Sequence, residues 1–290
     1  MPPLLASWDR DGYVELPAVL TAAEVAALNE RLAERFARAA RRAHLTSLPG
    51  LRELRRAAIG GFKLRDRLLA PWAERARDRP WTAALIRLER ARAELVSAVL
   101  REDGADRMVM GYLTDERVRA AAGSPRVLEA LTELFGERPV LFFTTSFRTG
   151  GQSETHVDSF GEDPCDASFV GASIALEDFD IANGPLFVVP GSHRLDARER
   201  ERLTSLPTPP PGAVPLLTRS GDAVLWHRDL VHGSFPRLDR ARSRRSLACH
   251  YAPRSALPRR ARLRPLGTAW YRLDRLAAES PTLTRLLAER

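Results

Sequence analysis

A histidine and a carboxylate two residues apart, His156 and Asp158 in Glu154-Thr155-His156-Val157-Asp158-Ser159-Phe160, open the chemical reading of this chain. On an extended backbone, alternation puts both side chains on one face. Two such donors do not hold a reactive metal by themselves. A third stands far downstream at His232, in Leu230-Val231-His232-Gly233-Ser234, just after the strand-like run Asp222-Ala223-Val224-Leu225-Trp226-His227. Two imidazoles and one carboxylate are the donor set of a non-haem Fe(II) site that keeps one face of the metal open. A lone His-x-Asp arises by chance in many chains of this size, so its weight rests on what surrounds it.

The remaining histidines have plainer readings. His44 and His250 are taken as structural or surface residues, and His193, in Pro190-Gly191-Ser192-His193, as bonding its own turn. His227 precedes His232 by five and is read as a supporting or structural residue. Cys165 and Cys249 match neither a disulfide framework nor a metal-binding spacing. Cys249 lies in an alternating apolar run and reads as a small core residue. Thr145 and Phe160 fit pocket lining and plain core equally well.

These residues must be positioned by strands and helices that the sequence also outlines. A capping-box spacing, Thr21-Ala22-Ala23-Glu24, starts a helix whose Val25, Leu28, Leu32 and Phe36 share one face. Before it, 8–17 reads as a short turn and strand. Residues 37–110 read as several short helices broken at Pro49-Gly50, Gly60-Gly61, Pro71 and Pro80, with a longer one over 82–100. Trp72 and Trp81 there are read as core. Ser124-Pro125 marks an N-cap with proline at the first helical position, and Gly136 the end of that helix. Strands are expected over 140–147, 169–176, 185–189, 223–227 and 245–251, with a turn at Asn183-Gly184, a short charged helix over 194–203 and a proline-rich loop over 207–215. Several short strands separated by turn signals point to a sandwich or barrel rather than a sheet with helical crossovers. The basic tail, 258–290, is expected to be helical from Ser280-Pro281 onward.

Composition sets the outer limits. The 290 residues are enough for one large domain or two small ones, with 44% hydrophobic and 28% charged residues. Lys+Arg 45 against Asp+Glu 37 gives a net charge of +8. That balance could suit nucleic acid, but Lys63 is the single lysine, and the arginines alternate with Glu, Asp and Ala along helical stretches. Solvated helix faces explain the charge better than an acidic partner does. No segment resembles a secretion signal or a membrane span, so a cytoplasmic protein is expected.

The ordered motifs resemble the phytanoyl-CoA dioxygenase family of Fe(II)/2-oxoglutarate-dependent oxygenases. The residues that carry the likeness are His156-Val157-Asp158, Ala175-Leu176-Glu177-Asp178, Asn183-Gly184-Pro185-Leu186, Pro190-Gly191-Ser192-His193, Gly221-Asp222-Ala223-Val224-Leu225-Trp226-His227, His232-Gly233-Ser234 and Arg244-Arg245-Ser246 before His250-Tyr251. Asp9-Arg10-Asp11-Gly12-Tyr13-Val14 and the first helix also look like the family's start. The likeness spans roughly 8–36 and 124–252.

The resemblance implies a single domain over 1–290: a double-stranded β-helix (jelly-roll, cupin-like) core over 139–252 inside an α+β fold, with helices packed around it. Residues 37–110 and the tail lie outside the likeness; from their own sequence the first is expected to be a helical insertion or lid and 258–290 a helical tail. The resemblance further implies that His156, Asp158 and His232 ligate Fe(II), and that Arg244 pairs with the far carboxylate of 2-oxoglutarate, helped by Ser234 and with Thr145 nearby. A guanidinium fork suits that task because it binds carboxylates bidentately and stays charged. Arg245 is the competitor for the role, since neighbouring strand residues face opposite ways; Arg244 is preferred from its distance to Tyr251. The implied reaction consumes O2, converts 2-oxoglutarate to succinate and CO2, and hydroxylates a small-molecule substrate. Desaturation, epoxidation or rearrangement by the same chemistry is the alternative, and a non-catalytic jelly-roll with a basic binding surface is the alternative of another class. A carboxylate at Asp158, rather than a small residue, favours oxygen insertion over halogenation. Two departures from the family pattern stand beside the metal: Val157 where glutamine is common, and Ser173 where a bulky aromatic is frequent.

Overall fold

A computed structural model describes residues 3–46, 107–150, 154–160, 163–259 and 261–273. The helix expected over 82–100, Trp72 and Trp81, most of the expected lid and the tail helix from Ser280 lie outside the described residues.

The chain opens with a helix, α1 (Pro3–Asp11), where the sequence suggests a turn, and only then enters strand β1 (Tyr13–Leu16). The switch is made at Gly12, whose φ of +79° favours glycine, and whose N–H closes the helix on the carbonyl of Trp8 at 2.9 Å. A side chain there would also collide with His193, 2.4 Å from a Cβ. Helix α2 (Ala22–Thr46) starts with the expected reciprocal cap: Thr21 N–H donates to Glu24 Oε2 (2.8 Å) and Glu24 N–H to Thr21 Oγ1 (3.3 Å). Its Val25, Leu28, Leu32 and Phe36 are buried, as their spacing requires.

Strand β2 (Arg107–Val109) leads into two helices, α3 (Glu116–Ala122) and α4 (Pro125–Phe135). Pro125 sits in the first turn of α4, yet Ser124 does not cap it. The hydroxyl instead donates to the carbonyl of Val19 at 2.7 Å, tying the helix start to the segment before α2. Gly136, at φ +68°, ends α4.

The strands follow as β3 (Pro139–Phe147), β4 (Val170–Ala175), β5 (Leu186–Val188), β6 (Val214–Pro215), β7 (Ala223–His227), β8 (His232–Ser234) and β9 (Ser246–Pro253), with the charged helix α5 (Ala197–Thr204) between β5 and β6. A final pair, β10 (Leu263–Leu266) and β11 (Ala269–Arg272), forms a hairpin within the tail, 258–290, that is expected to be helical. Gly267, at φ +56°, makes its turn, and Pro265 is tolerated because β10 is an edge strand.

The larger sheet runs β1-β7-β4-β9-β3-β11-β10, with β2 also paired to β3. Its pairs are antiparallel except β11 against β3. The sheet therefore reaches beyond 139–252 at both ends, through β1 and β2 before it and the hairpin after it. The smaller sheet runs β6-β5-β8. Residues of both sheets line one cavity of about 190 Å³. Two mainly antiparallel layers around a ligand-sized mouth make the jelly-roll. On the larger sheet, alternate residues divide cleanly. Phe143, Thr145 and Phe147 of β3, and Ser246, Ala248 and His250 of β9, line the cavity. Leu247, Cys249 and Tyr251 of β9 instead join the core beneath the helices, together with residues of α2, α3 and α4.

Candidate active site

His156 and His232 come together because their backbones pair. Each N–H donates to the other's carbonyl, at 2.9 and 3.0 Å, an isolated antiparallel bridge that adds His156 to the edge of the small sheet beside β8. The rings stand 4.3 Å apart between centroids. Both imidazoles are oriented through the nitrogen that faces away: His156 Nδ1 to the carbonyl of Glu154 (2.7 Å), His232 Nδ1 to that of Leu230 (3.0 Å). A proton donated to a carbonyl fixes the tautomer and leaves each Nε2 lone pair pointing into the cavity, the usual support for a ligating histidine.

Asp158 completes the group. Its Oδ1 lies 3.5 Å from His156 Nε2 and its Oδ2 3.6 Å from His232 Nε2. One ligand atom from each of the three residues falls within 4.8 Å of the others, and no further set of this kind occurs among the described residues. Burial disfavours ionised Asp158, but His232, His156 and His250 outweigh it and hold the carboxyl well below its usual range. Burial draws His232 down to about 4 against the pull of Asp158, so this ring is neutral and able to ligate near pH 7. At His156 burial also lowers the value, but hydrogen bonding and attraction to Asp158 prevail and the net shift is upward. Two imidazole nitrogens and an ionised carboxylate on an open cavity wall suit a divalent iron with free coordination positions.

Arg244 lies on the same cavity, two residues before β9 and in step with Ser246, Ala248 and His250. It is buried, and its Nη1 donates to the carbonyl of Gly184 at 2.6 Å. The loop at Gly150 crosses directly over it. At φ +72°, Gly150 favours glycine, and a Cβ there would stand 2.0 Å from Arg244 Nε. Burial, then the charge of Arg237, lowers the guanidinium to about 10, which leaves it cationic at neutral pH. Arg245 turns away: its Nε and Nη2 both donate to Glu177 Oε2 at 3.1 Å, and its N–H to Glu177 Oε1. Ser234 and Thr145, both buried, line the cavity with Arg244. Phe160 packs among Phe142, Phe143, Phe169 and His250, in the core behind the cavity. Ser173 lies on the wall between the sheets, where a larger side chain would take up cavity space.

The other described histidines divide. His193 and His227 stand together outside the cavity, 5.3 Å between centroids, with Trp8 beside His227. His250 does not fit the structural or surface reading. It is buried on the cavity wall with Nε2 at 3.0 Å from Asp158 Oδ2, and Trp226 Nε1 donates to the same oxygen at 3.1 Å. One signal for it exists in the sequence: the alternation that turns Arg244 inward also turns in the residue six positions later.

Known proteins share this architecture. EctD from S. alaskensis, solved with 2-oxoglutarate and 5-hydroxyectoine, superposes with a TM-score of 0.56 at 18% identity, covering 88% of this chain and 77% of that one. SnoN, described as a non-haem α-ketoglutarate-dependent epimerase from nogalamycin biosynthesis, superposes with a TM-score of 0.51 at 20% identity, covering 91% and 83%. At these identities the likeness is one of fold. In sequence, "Phytanoyl-CoA dioxygenase 1" of Oryza sativa subsp. japonica is 38% identical over 112 residues, 35% of this chain and 39% of that protein, so the match spans about two fifths of the relative's length. The family model of phytanoyl-CoA dioxygenase (PhyH) extends much further, matching residues 8–246 from within α1 to the first residue of β9, and the chain belongs to that family.

Proposed function

We propose that this chain is an Fe(II)- and 2-oxoglutarate-dependent dioxygenase that hydroxylates a small molecule. One observation carries the reading: His156, Asp158 and His232 converge on the wall of a cavity that also holds the buried cation Arg244. The donor set fits iron, since both histidines are fixed with Nε2 inward and the carboxylate is ionised. Bound iron with 2-oxoglutarate supplies oxidising power from O2, with succinate and CO2 as co-products.

The chain's own residues do the rest. Arg244 offers its guanidinium to the carboxylate of the cosubstrate that lies away from the metal, and Ser234 and Thr145 offer hydroxyls along the same wall. The Gly184 carbonyl and the loop at Gly150 hold that guanidinium in place, so little conformational entropy is lost on binding. Phe143, Phe147, Phe179 and Leu186 make the rest of the wall apolar and keep bulk water from the reacting centre. In this reading the protein supplies orientation and a largely apolar cavity rather than an acid or base. The small Ser173 and Ala248 enlarge that cavity beside the metal ligands, so the substrate is inferred to differ in shape from the acyl-CoA in the family's name.

Anaerobic titration of metal-free protein with Fe(II) and 2-oxoglutarate tests the reading. A visible charge-transfer band should appear in the wild type and vanish in His156→Ala. Its absence from a well-folded wild type would remove the proposal. Product mass then separates hydroxylation, which adds one oxygen, from desaturation, which removes two hydrogens.

A further inference from the structure

Three neighbouring strands of the large sheet, β9, β4 and β7, carry His250, Gly171 and Trp226 in one row across the sheet. Gly171 is the register partner of both rings. Its missing side chain is what lets them approach. A Cβ on Gly171 would stand 2.2 Å from Trp226 Cε2, inside the indole. With glycine there, the two rings meet edge to face at 5.9 Å and 89°, and their N–H groups converge on one atom, Asp158 Oδ2. Two donors use up the lone pairs of a carboxylate oxygen. Asp158 Oδ1, turned toward His156 Nε2 at 3.5 Å, receives neither.

His250 shows what the row is for. Its ring sits in a box of Phe142, Phe143, Phe160 and Phe169, with centroid distances of 4.9 to 6.3 Å. Its Nδ1 is buried and has no hydrogen-bond partner among the described residues. A phenylalanine would fill such a box without burying an unsatisfied nitrogen. The polar contact that justifies an imidazole is the one to Asp158.

We propose that Trp226 and His250 are positioning residues that bind Asp158 Oδ2 and so leave a single oxygen, Oδ1, for the metal. A carboxylate free to rotate could chelate through both oxygens and occupy a position that 2-oxoglutarate or O2 requires. Held from behind, Asp158 ligates through one oxygen, and the open face is preserved. The inference rests on the dioxygenase reading of the same site. Gly171 belongs to the device as the gap that allows both donors to reach one oxygen.

The test compares Co(II) affinity, and 2-oxoglutarate affinity of the Co(II)-loaded protein, in wild type, His250→Phe, His250→Gln, Trp226→Phe and Gly171→Ala. His250→Phe and Trp226→Phe should each weaken one or both affinities by about 10- to 100-fold, the usual effect of losing a group that supports a metal ligand. His250→Gln, which restores an N–H at similar reach, should recover most of the loss, whereas a packing role would leave glutamine the worse variant. Gly171→Ala, which displaces the indole, should resemble Trp226→Phe. Wild-type affinities in both phenylalanine variants would overturn the proposal, as would equal losses in His250→Phe and His250→Gln. If His250→Phe does not fold, Trp226→Phe, which leaves His250 in its box, decides between the two outcomes. A wild type that binds neither Co(II) nor 2-oxoglutarate would instead sink the dioxygenase reading, so the two failures are distinct.

Discussion

Arg244 and Arg245 show how a one-residue step along an extended chain decides a side chain's chemistry. Alternation sends Arg244 into the cavity and Arg245 outward onto Glu177. Their replacement should therefore separate binding from stability. Arg244→Ala should raise the KM for 2-oxoglutarate by about 10- to 100-fold, the range expected when a charge-assisted hydrogen bond of ~1.5–3 kcal/mol is lost, with the fold intact. Arg245→Ala removes a half-exposed pair and should cost at most about 1 kcal/mol while leaving that KM unchanged. Steady-state kinetics and a urea melt on both variants check this, and the reverse pattern would reassign the cosubstrate arginine. Of the four groups that meet on the cavity, only the pair His156 and Asp158 has a local signal, a two-residue step on extended backbone; His232 and Arg244 stand more than seventy residues further on, and the pairing of Arg244 with a cosubstrate came from the family resemblance. For His250 the alternation shared with Arg244 is the one local signal, and it does not reveal the partner, because Asp158 lies ninety-two residues earlier in the chain.

The same contrast between local and distant partners holds for the elements. Helix α2 was legible because its cap and apolar face are written within a few turns of chain. Helix α3 depends on residues far from it. Asp115 caps α3 by accepting from the N–H groups of Arg117 (3.0 Å) and Val118 (3.4 Å), and its Oδ2 takes Arg31 Nε (2.7 Å) and Arg35 Nη1 (3.2 Å) from α2. One buried carboxylate thus caps one helix and fastens it to another. Burial alone would raise its pKa, but the bonds to Arg31, Arg35 and the α3 backbone overcome that and lower it. The folded value lies below the unfolded one, so this contribution is complete above the ordinary aspartate range and fades as pH falls through the folded value. Asp115→Ala should destabilise by about 1–3 kcal/mol at pH 7, since it removes a cap and the buried carboxylate that Arg31 and Arg35 share. The deficit should shrink in strongly acidic solution, where the wild type has also lost the charge. Urea melts at both pH values measure it; a deficit that does not change with pH would mean that packing, not charge, is what Asp115 provides. The hairpin β10–β11 escaped the sequence for a related reason. Each strand is four residues long and interrupted by arginine or proline, and its order comes from pairing of Trp270 and Tyr271 with β3, more than a hundred residues away.

At the scale of the whole molecule, the candidate centre joins the two layers. His232 comes from the small sheet and His156 from the segment bridged to it, whereas the groups behind Asp158, Trp226 and His250, come from the large sheet. A divalent ion bound by His156, Asp158 and His232 therefore ties the sheets together across the cavity, in addition to the apolar contacts of Val188 and Leu216 with Val224 and Trp226. An ion that binds only the folded chain stabilises it by mass action, by about 2.7 kcal/mol when present at a hundredfold excess over its dissociation constant. For a chain of 290 residues that corresponds to a rise in Tm of roughly 4–5 °C. Thermal melts under anaerobic conditions should show such a rise on adding Co(II) or Mn(II) to metal-free protein, and its reversal by a chelator. His156→Ala and His232→Ala should melt at nearly the same temperature with and without metal. His227→Ala, whose side chain lies outside the cavity beside Trp8 and His193, should keep the full metal-dependent rise. If instead His227→Ala lost the rise and His156→Ala kept it, the ion would be bound elsewhere, and the three donors that meet between the sheets would need another explanation.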